Sequence, residues 1–456
     1  VAEDLTPRRR RLERLRRALR RTRDLVDSPG LSDDDASRVA RAVDEVLAEP
    51  DTTTQRAAAE RLVAAYQSLD DSGRIRFMET IATGFGTDAD VVDRAVARLR
   101  TATADAERIR AERELRHAVT PRYAALLHVI TGMPNGVQHL VDLRADLVAA
   151  RPEHPALGLF ADELAGHLST LFDVGLLELR QITWDSPASV LERLMAAERV
   201  HRMSSWDDVQ HRLTGDQRCF GFFHPAMANE PIAFVEVALH HGLAGDLTHL
   251  LERERPVEAP DTAIFYAITS AQPGLAGIHL GNELIKQVVD ELRRADDRLE
   301  TFATLSPLPR FRRWLVSEVQ AGTLTTFETN ALGPDPLAIV ELHDRAWLDD
   351  PALADRVKPG LLSAGARYLQ TTRDDHGHER VIDSVENFHL SNGASVERLN
   401  WLSNPADYGI EQSLGLMVNY LYDRGRIAAN ARGYLTEGTV RASSVVKGLV
   451  KAVKER

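Results

Sequence analysis

Three stretches of this 456-residue chain hold side chains and main chain that could do chemistry. The first is the loop Gln272-Pro273-Gly274-Leu275-Ala276-Gly277-Ile278-His279-Leu280-Gly281-Asn282. Three glycines between a strand-like run and a helix-like run let the main chain come close to a ligand, and the N–H groups opening the helix favour a phosphate. The spacing is neither a dinucleotide fingerprint nor a P-loop, so glycines that serve only the turn account for it equally well. The second stretch is Thr304-Leu305-Ser306-Pro307-Leu308-Pro309-Arg310-Phe311. It sets a serine at the C-terminal end of a strand that two prolines then stop, at the edge where α/β sheets bind ligands. A turn or cap serine fits the same residues. The chain contains no G-x-S-x-G elbow, which leaves a serine hydrolase without support.

The third stretch is Asp383-Ser384-Val385-Glu386-Asn387-Phe388-His389-Leu390-Ser391-Asn392-Gly393-Ala394. Asp383 and Glu386 have capping-box spacing, and Gly393 then ends a short helix. That helix puts Val385, Phe388, His389 and Asn392 on one face, ahead of a strand from Ala394 to Leu402. By pattern alone His389 reads as a hydrogen-bonded core or surface residue. His376-Gly377-His378, beside Asp374, Asp375 and Glu379, has metal-capable atoms but no zinc or iron spacing, and reads as a solvated turn. His240-His241 reads as a strand end. Cys219 lies in an aromatic-rich strand and reads as a buried, inert thiol.

The elements that would position these groups change in texture along the chain. Residues 1 to about 180 carry Ala, Leu, Val and Arg at helical spacing and hardly any β-rich run. Leu12, Leu15, Leu19 and Leu25 mark a first amphipathic helix. Ser32 with Asp33 to Asp35 starts a second that stops at Pro50. Breaks follow at Asp71-Ser72-Gly73, Gly84-Phe85-Gly86, Met133 to Gly136 and Arg151-Pro152. After Trp184, Asp185-Ser186-Pro187 offers an N-cap and an N1 proline for a helix reaching about Val200. Strands are then expected at Cys219–Phe223 and Ile232–Leu239 as a hairpin with a long connection. Past a charged, proline-bearing linker from Glu252 to Pro260, a strand over Ala263–Ile268, a helix over Gly281–Arg294 and a strand over Leu299–Leu305 have the order of a β-α-β crossover. The expected organisation is therefore α+β and multidomain: an all-α domain over 1–180 and a mixed α/β domain over 181–456.

Composition narrows the function classes. Asp plus Glu outnumber Lys plus Arg by 68 to 56, and the net charge of −12 argues against a general nucleic-acid or anionic-membrane binder. An anionic ligand must then meet a local basic site. With 43% hydrophobic residues the chain can bury substantial cores. A single cysteine excludes an intrachain disulfide and a thiolate zinc cluster built from this chain alone. No apolar run of 18 residues occurs, Val1 to Leu25 alternates arginine with leucine where a signal peptide needs an apolar stretch, and Val453-Lys454-Glu455-Arg456 is not a peroxisomal address. A soluble, cytoplasmic protein is expected.

Taken in order, these segments resemble the malonyl-CoA decarboxylase family. The likeness is carried by Phe265-Tyr266-Ala267-Ile268, by Gly274 to Lys286, by Leu305-Ser306-Pro307-Leu308-Pro309-Arg310-Phe311, by Asn387-Phe388-His389-Leu390-Ser391-Asn392-Gly393-Ala394, and by Gly415-Leu416-Met417-Val418-Asn419-Tyr420. The resemblance implies a helical N-terminal domain and an acetyltransferase-like (GNAT-type) catalytic domain, in which two parallel strands splay to admit the pantetheine arm. It implies a catalytic pair, Ser306 and His389. It also implies substrate contacts from Ala276, Gly277, Ile278, His279, Leu280, Gly281, Asn282, Asn387 and Tyr422. Animal members place a glutamate at the position of His279. The implied reaction is loss of CO2 from malonyl-CoA to give acetyl-CoA, with Ser306 orienting the malonyl group and His389, as a group titrating near neutrality, protonating the enolate. No metal and no cofactor apart from the CoA of the substrate is expected, nor any nucleic-acid or membrane partner. The resemblance further implies a homo-oligomer, dimer or tetramer. The alternatives are a GNAT-type acyltransferase, which would need an open acceptor groove, and a non-catalytic malonyl-CoA sensor or scaffold.

Overall fold

A computed structural model describes residues 33–198, 201–252, 256–278, 281–341, 348, 350–370 and 381–451. The expected first helix, its neighbour's cap at Ser32, His279, Leu280, the His376–His378 turn and the last five residues lie outside the described residues. Gly281 and Asn282 are described by their backbone only. Contacts divide the chain into two units: residues up to 178 with 224–232 and 272–278, and residues 179–223, 233–271 and 279–456.

The first unit is helical. Its described helices are Asp33–Ala48, Thr52–Gln67, Asp71–Gly84, Ala89–Thr101, Asp105–Ala118, Tyr123–Thr131, Gly136–Ala150 and Gly158–Leu171. Asp51, Asp70 and Asp88 cap three of them by accepting the N–H of Thr54, Gly73 and Val91, which satisfies donors that the first turn leaves open. Leu62, Phe77, Ile81, Leu126, Leu140, Leu164 and Phe160 form the buried side of these helices. The Gly136–Ala150 helix follows Asn135, whose φ of 55° turns the chain. It buries Val137, Leu140, Val141 and Leu147, and Arg144 with them.

The second unit is built on one sheet: β1 (Glu178–Ile182), β2 (Gln217–Phe223), β3 (Pro231–His240), β4 (Thr262–Ser270), β5 (Thr301–Thr304), β6 (Ser306–Pro307), β7 (Ser395–Asn400) and β8 (Met417–Leu421). Neighbours run β1-β2-β3-β4-β5-β8-β6, with β7 on the other edge of β8. The strand β1 was not expected. Only Ile182 in it is buried, so its five residues show no usable alternation. The helix after Trp184 spans Ala188–Ala197 with Pro187 at the N-cap, not at N1. The aromatic-rich strands are found where their pattern puts them, because Cys219, Phe222, Phe234, Val235 and Ile264 are buried in a sheet covered on both sides.

Pairing within the sheet sets up the site. β4 and β5 are parallel, from Thr262↔Thr301 to Phe265↔Thr304, joined by the Gly281–Ala295 helix. The expected crossover is thus present. Leu305 N–H then donates to the Phe265 carbonyl, the last bond between these strands. β4 continues to Ser270 with β3 alone beside it. The β3–β4 register shifts at Tyr266, with Val237 opposite Phe265 and Glu236 opposite Ala267, and past this bulge the edge of β4 away from β3 has no paired strand among the described residues. Such a parting of parallel strands is what the resemblance implied. No described helix is long and apolar enough to cross a membrane.

Candidate active site

Ser306 is not where the strand stops. β5 and β6 continue one antiparallel register against β8 through Leu305, with Ala303↔Leu421, Ser306↔Val418 and Pro307↔Met417, and the strand ends at Pro307. Proline can sit there because it is the last position of the strand. Asn419 holds this stretch in place. Its amide donates to the Thr304 carbonyl (2.7 Å) and the Ala244 carbonyl (3.0 Å), and its oxygen accepts from Asn400 (2.9 Å) and Arg398 (3.1 Å). At the same place the Tyr420 N–H donates to Thr304 Oγ1, 3.1 Å away.

His389 rides on the Ser384–Ser391 helix, which forms as expected. Asp383 caps it by accepting the N–H of Val385 (2.8 Å) and Glu386 (3.2 Å), and receives the Tyr368 hydroxyl at 2.8 Å. The capping box itself is absent: both Glu386 carboxyl oxygens are buried with no hydrogen-bond partner among the described residues. Gly393, at φ +82°, closes the helix against the Ile427 carbonyl, leaving no room for a Cβ.

These elements bring three expected residues together. Ser306 Oγ lies 3.1 Å from His389 Nε2, and His389 Nδ1 lies 2.8 Å from the Tyr422 hydroxyl. Ser306 also donates to Thr304 Oγ1 at 2.8 Å. A serine has one hydroxyl hydrogen, so the hydrogen between Ser306 and His389 comes from Nε2, and Nδ1 accepts from Tyr422. The chain of donors therefore runs Tyr422, His389, Ser306, Thr304. The imidazole stacks on the Tyr420 ring, centroids 4.5 Å apart with planes inclined by 26°.

The surroundings are dry. His389 is 2% exposed, Ser306 6% and Tyr422 5%. Burial alone pulls the His389 pKa down to about 3, so the imidazole is neutral at neutral pH. This corrects the expectation of a group titrating near neutrality; short-range pattern cannot report desolvation. Burial pushes Tyr422 above the usual phenol range. Burial, with the Asp383 charge second, pushes Glu386 well above the carboxylate range. The Tyr420 hydroxyl is buried without a hydrogen-bond partner among the described residues.

Other expected contacts are placed as follows. Asn387 sits half-buried on the His389 helix with its amide oxygen taken by the Tyr434 hydroxyl at 2.7 Å. Ala276, Gly277 and Ile278 form an exposed to half-buried loop in the helical unit, with Gly277 at φ +81°. Cys219 is a buried free thiol, its pKa raised by burial and then by Glu236 and Glu198, as an inert cysteine should be. Among the described residues no cluster of three or more His, Cys, Asp or Glu is placed to hold a metal ion. Thr304, Tyr420 and Glu386 were missed by reading the sequence. The first two had a signal: Thr304 is two residues before Ser306, and Tyr420 two before Tyr422 on β8.

Comparisons with known proteins follow the same lines. Residues 175–456 match the family description "Malonyl-CoA decarboxylase C-terminal domain", and residues 85–172 match "Malonyl-CoA decarboxylase N-terminal domain". The chain is 32% identical over 428 residues to the mitochondrial malonyl-CoA decarboxylase of Anser anser anser, covering 86% of this chain and 83% of that one. It is 32% identical over 416 residues to the Mus musculus protein of the same name, covering 85% and 84%. Crystal structures of malonyl-CoA decarboxylase from Rhodopseudomonas palustris (TM-score 0.82, 36% identity, 91% of this chain and 99% of that one) and Agrobacterium vitis (0.83, 34%, 90% and 99%) are similar throughout.

Proposed function

Because the chain belongs to the malonyl-CoA decarboxylase family, we propose that it is a carboxy-lyase converting malonyl-CoA to acetyl-CoA and CO2 through the donor chain Tyr422–His389–Ser306. That chain of hydrogen bonds is the observation that carries the mechanism. Breaking the bond between the carboxylate carbon and Cα releases CO2 and leaves its electron pair as an enolate, with the charge largely on the thioester oxygen. Backbone N–H groups on the edge of β4 beyond the bulge at Tyr266, where no strand is paired among the described residues, suit that oxygen.

A neutral imidazole is sufficient as the acid. A thioester enolate is a much stronger base than the anions of the groups it meets, so His389 Nε2–H can deliver its proton to Cα while Nδ1 takes one from Tyr422. Tyr422 is then reprotonated from solvent, and the cycle consumes one proton, as the overall reaction requires. Ser306, placed by Thr304 and His389, turns its one hydroxyl hydrogen from Thr304 Oγ1 to the malonyl group when substrate binds, and so holds the breaking bond perpendicular to the carbonyl plane. Burial serves the same end: a site that solvates a localised carboxylate poorly favours the spread charge of the enolate.

The test is turnover by the purified protein of malonyl-CoA and methylmalonyl-CoA in parallel, with no acyl acceptor, beside Ser306→Ala. Acetyl-CoA and CO2 in equal amounts from the wild type, and a loss in the variant on the order of 100-fold or more, support the reading. Binding of malonyl-CoA without CO2 release would replace it with the sensor reading.

A further inference from the structure

The buried face of the Gly136–Ala150 helix contains a cation. Arg144 is 8% exposed, and its burial lowers its pKa, with Asp162 pulling the other way. A guanidinium nevertheless keeps its charge in proteins. Among the described residues it forms no ion pair. Its donors go to main chain: Nη1 to the Gly274 carbonyl and Nη2 to the Ala276 carbonyl, the latter at 2.9 Å. Both belong to the same unit as the helix.

The loop is seated directly on that helix. A Cβ at Gly274 would come within 1.8 Å of the Val141 carbonyl oxygen, one turn before Arg144, so only glycine allows the approach. Within the loop the N–H groups of Leu275, Ala276 and Ile278 are used by Gln272, Pro273 and Leu275 carbonyls. The Gly277 N–H has no partner among the described residues. Among the described residues no peptide bond is cis, so the Ala276–Gly277 peptide has its N–H pointing opposite to its carbonyl. With that carbonyl on Arg144, the Gly277 N–H is turned outward.

We propose that Arg144 is the positioning residue of the acyl-CoA loop: by fixing the Gly274 and Ala276 carbonyls it presents the Gly277 N–H to a phosphate of the CoA moiety. This rests on the reading that the loop binds acyl-CoA. The guanidinium charge, unopposed by an ion-paired carboxylate, also favours an anion on the far side of the loop.

The experiment compares wild type, Arg144→Met and Arg144→Lys on malonyl-CoA and on malonyl-pantetheine, which has no phosphate. The expected result for Arg144→Met is a KM for malonyl-CoA raised about tenfold with kcat within about threefold, and little change with malonyl-pantetheine. Lysine keeps the charge but reaches one carbonyl at a time, so Arg144→Lys should recover only part of the loss. Equal losses on both thioesters, or an unchanged KM for malonyl-CoA, would overturn the proposal. Melting temperatures by circular dichroism confirm that each variant is folded, and Arg144→Lys carries the comparison if methionine prevents folding. Wild-type turnover separates the two readings: an inactive wild type removes the decarboxylase, whereas an active one without preference for the CoA thioester removes only the phosphate contact.

Discussion

The Tyr422 hydroxyl stands 2.8 Å from His389 Nδ1, across 33 positions of sequence. This contact fixes which ring nitrogen carries the hydrogen and aims Nε2–H at Ser306. Tyr422→Phe keeps the ring but frees the tautomer. Its kcat should fall by about 10- to 100-fold with KM nearly unchanged; steady-state kinetics with unaltered kcat would take Tyr422 out of the relay.

His389→Asn should leave CoA binding nearly intact while lowering turnover by a factor on the order of 100 or more. Titration calorimetry with acetyl-CoA reads the first and CO2 release the second. A variant that turns over at the wild-type rate contradicts the proton donor assigned here.

With its pKa held down to about 3 by burial, His389 of the free protein does not titrate in the neutral range. Since kcat/KM reports groups of the free enzyme, no imidazole limb is expected between about pH 5 and pH 8. A bend in that window that disappears in His389→Gln would show a solvated, ionising ring instead.

Thr304 Oγ1 serves two partners, accepting from Ser306 at 2.8 Å and from the buried Tyr420 N–H at 3.1 Å. Thr304→Val leaves that N–H unpaired and should destabilise the fold by about 1–3 kcal/mol, besides loosening Ser306. Thr304→Ser should restore both. Urea unfolding of the two variants checks this, and equal stability of valine and serine forms would refute it.

Glu386 is a buried carboxyl whose acidity folding suppresses, as it does for Glu236 and Asp383. A folded pKa above the unfolded one means that its contribution to stability is fully present below the unfolded carboxylate range and is lost as pH rises through the folded value. Glu386→Gln, which mimics the neutral form, should therefore gain melting temperature over wild type at about pH 8 and gain little at about pH 4. A gain that is largest in acid would reverse the sign and place the charged form inside.

Local pattern made much of this protein legible. The switch from helical to strand spacing, the crossover between β4 and β5, the short helix ending at Gly393 and the pairing of Ser306 with His389 all follow from periodicity, turn residues and a resemblance carried by named segments. The strand β1 escaped because one buried residue in five makes no pattern, and the pairing that carries the strand through Ser306 to Pro307 escaped because its partners, Val418 and Met417, are more than a hundred positions away.

Residue types and their order determined which groups could act; tertiary structure decided the state in which they do so. His389 is neutral only because packing removes its water, and its tautomer depends on Tyr422 and Thr304, which adjoin it through β8 and β5 and not through the sequence. Arg144 likewise reads as one basic residue among many until folding brings Gly274 and Ala276, 130 and 132 positions on, under its guanidinium. Desolvation and long-range hydrogen bonds are properties of neighbours in space, and a sequence orders neighbours only along the chain.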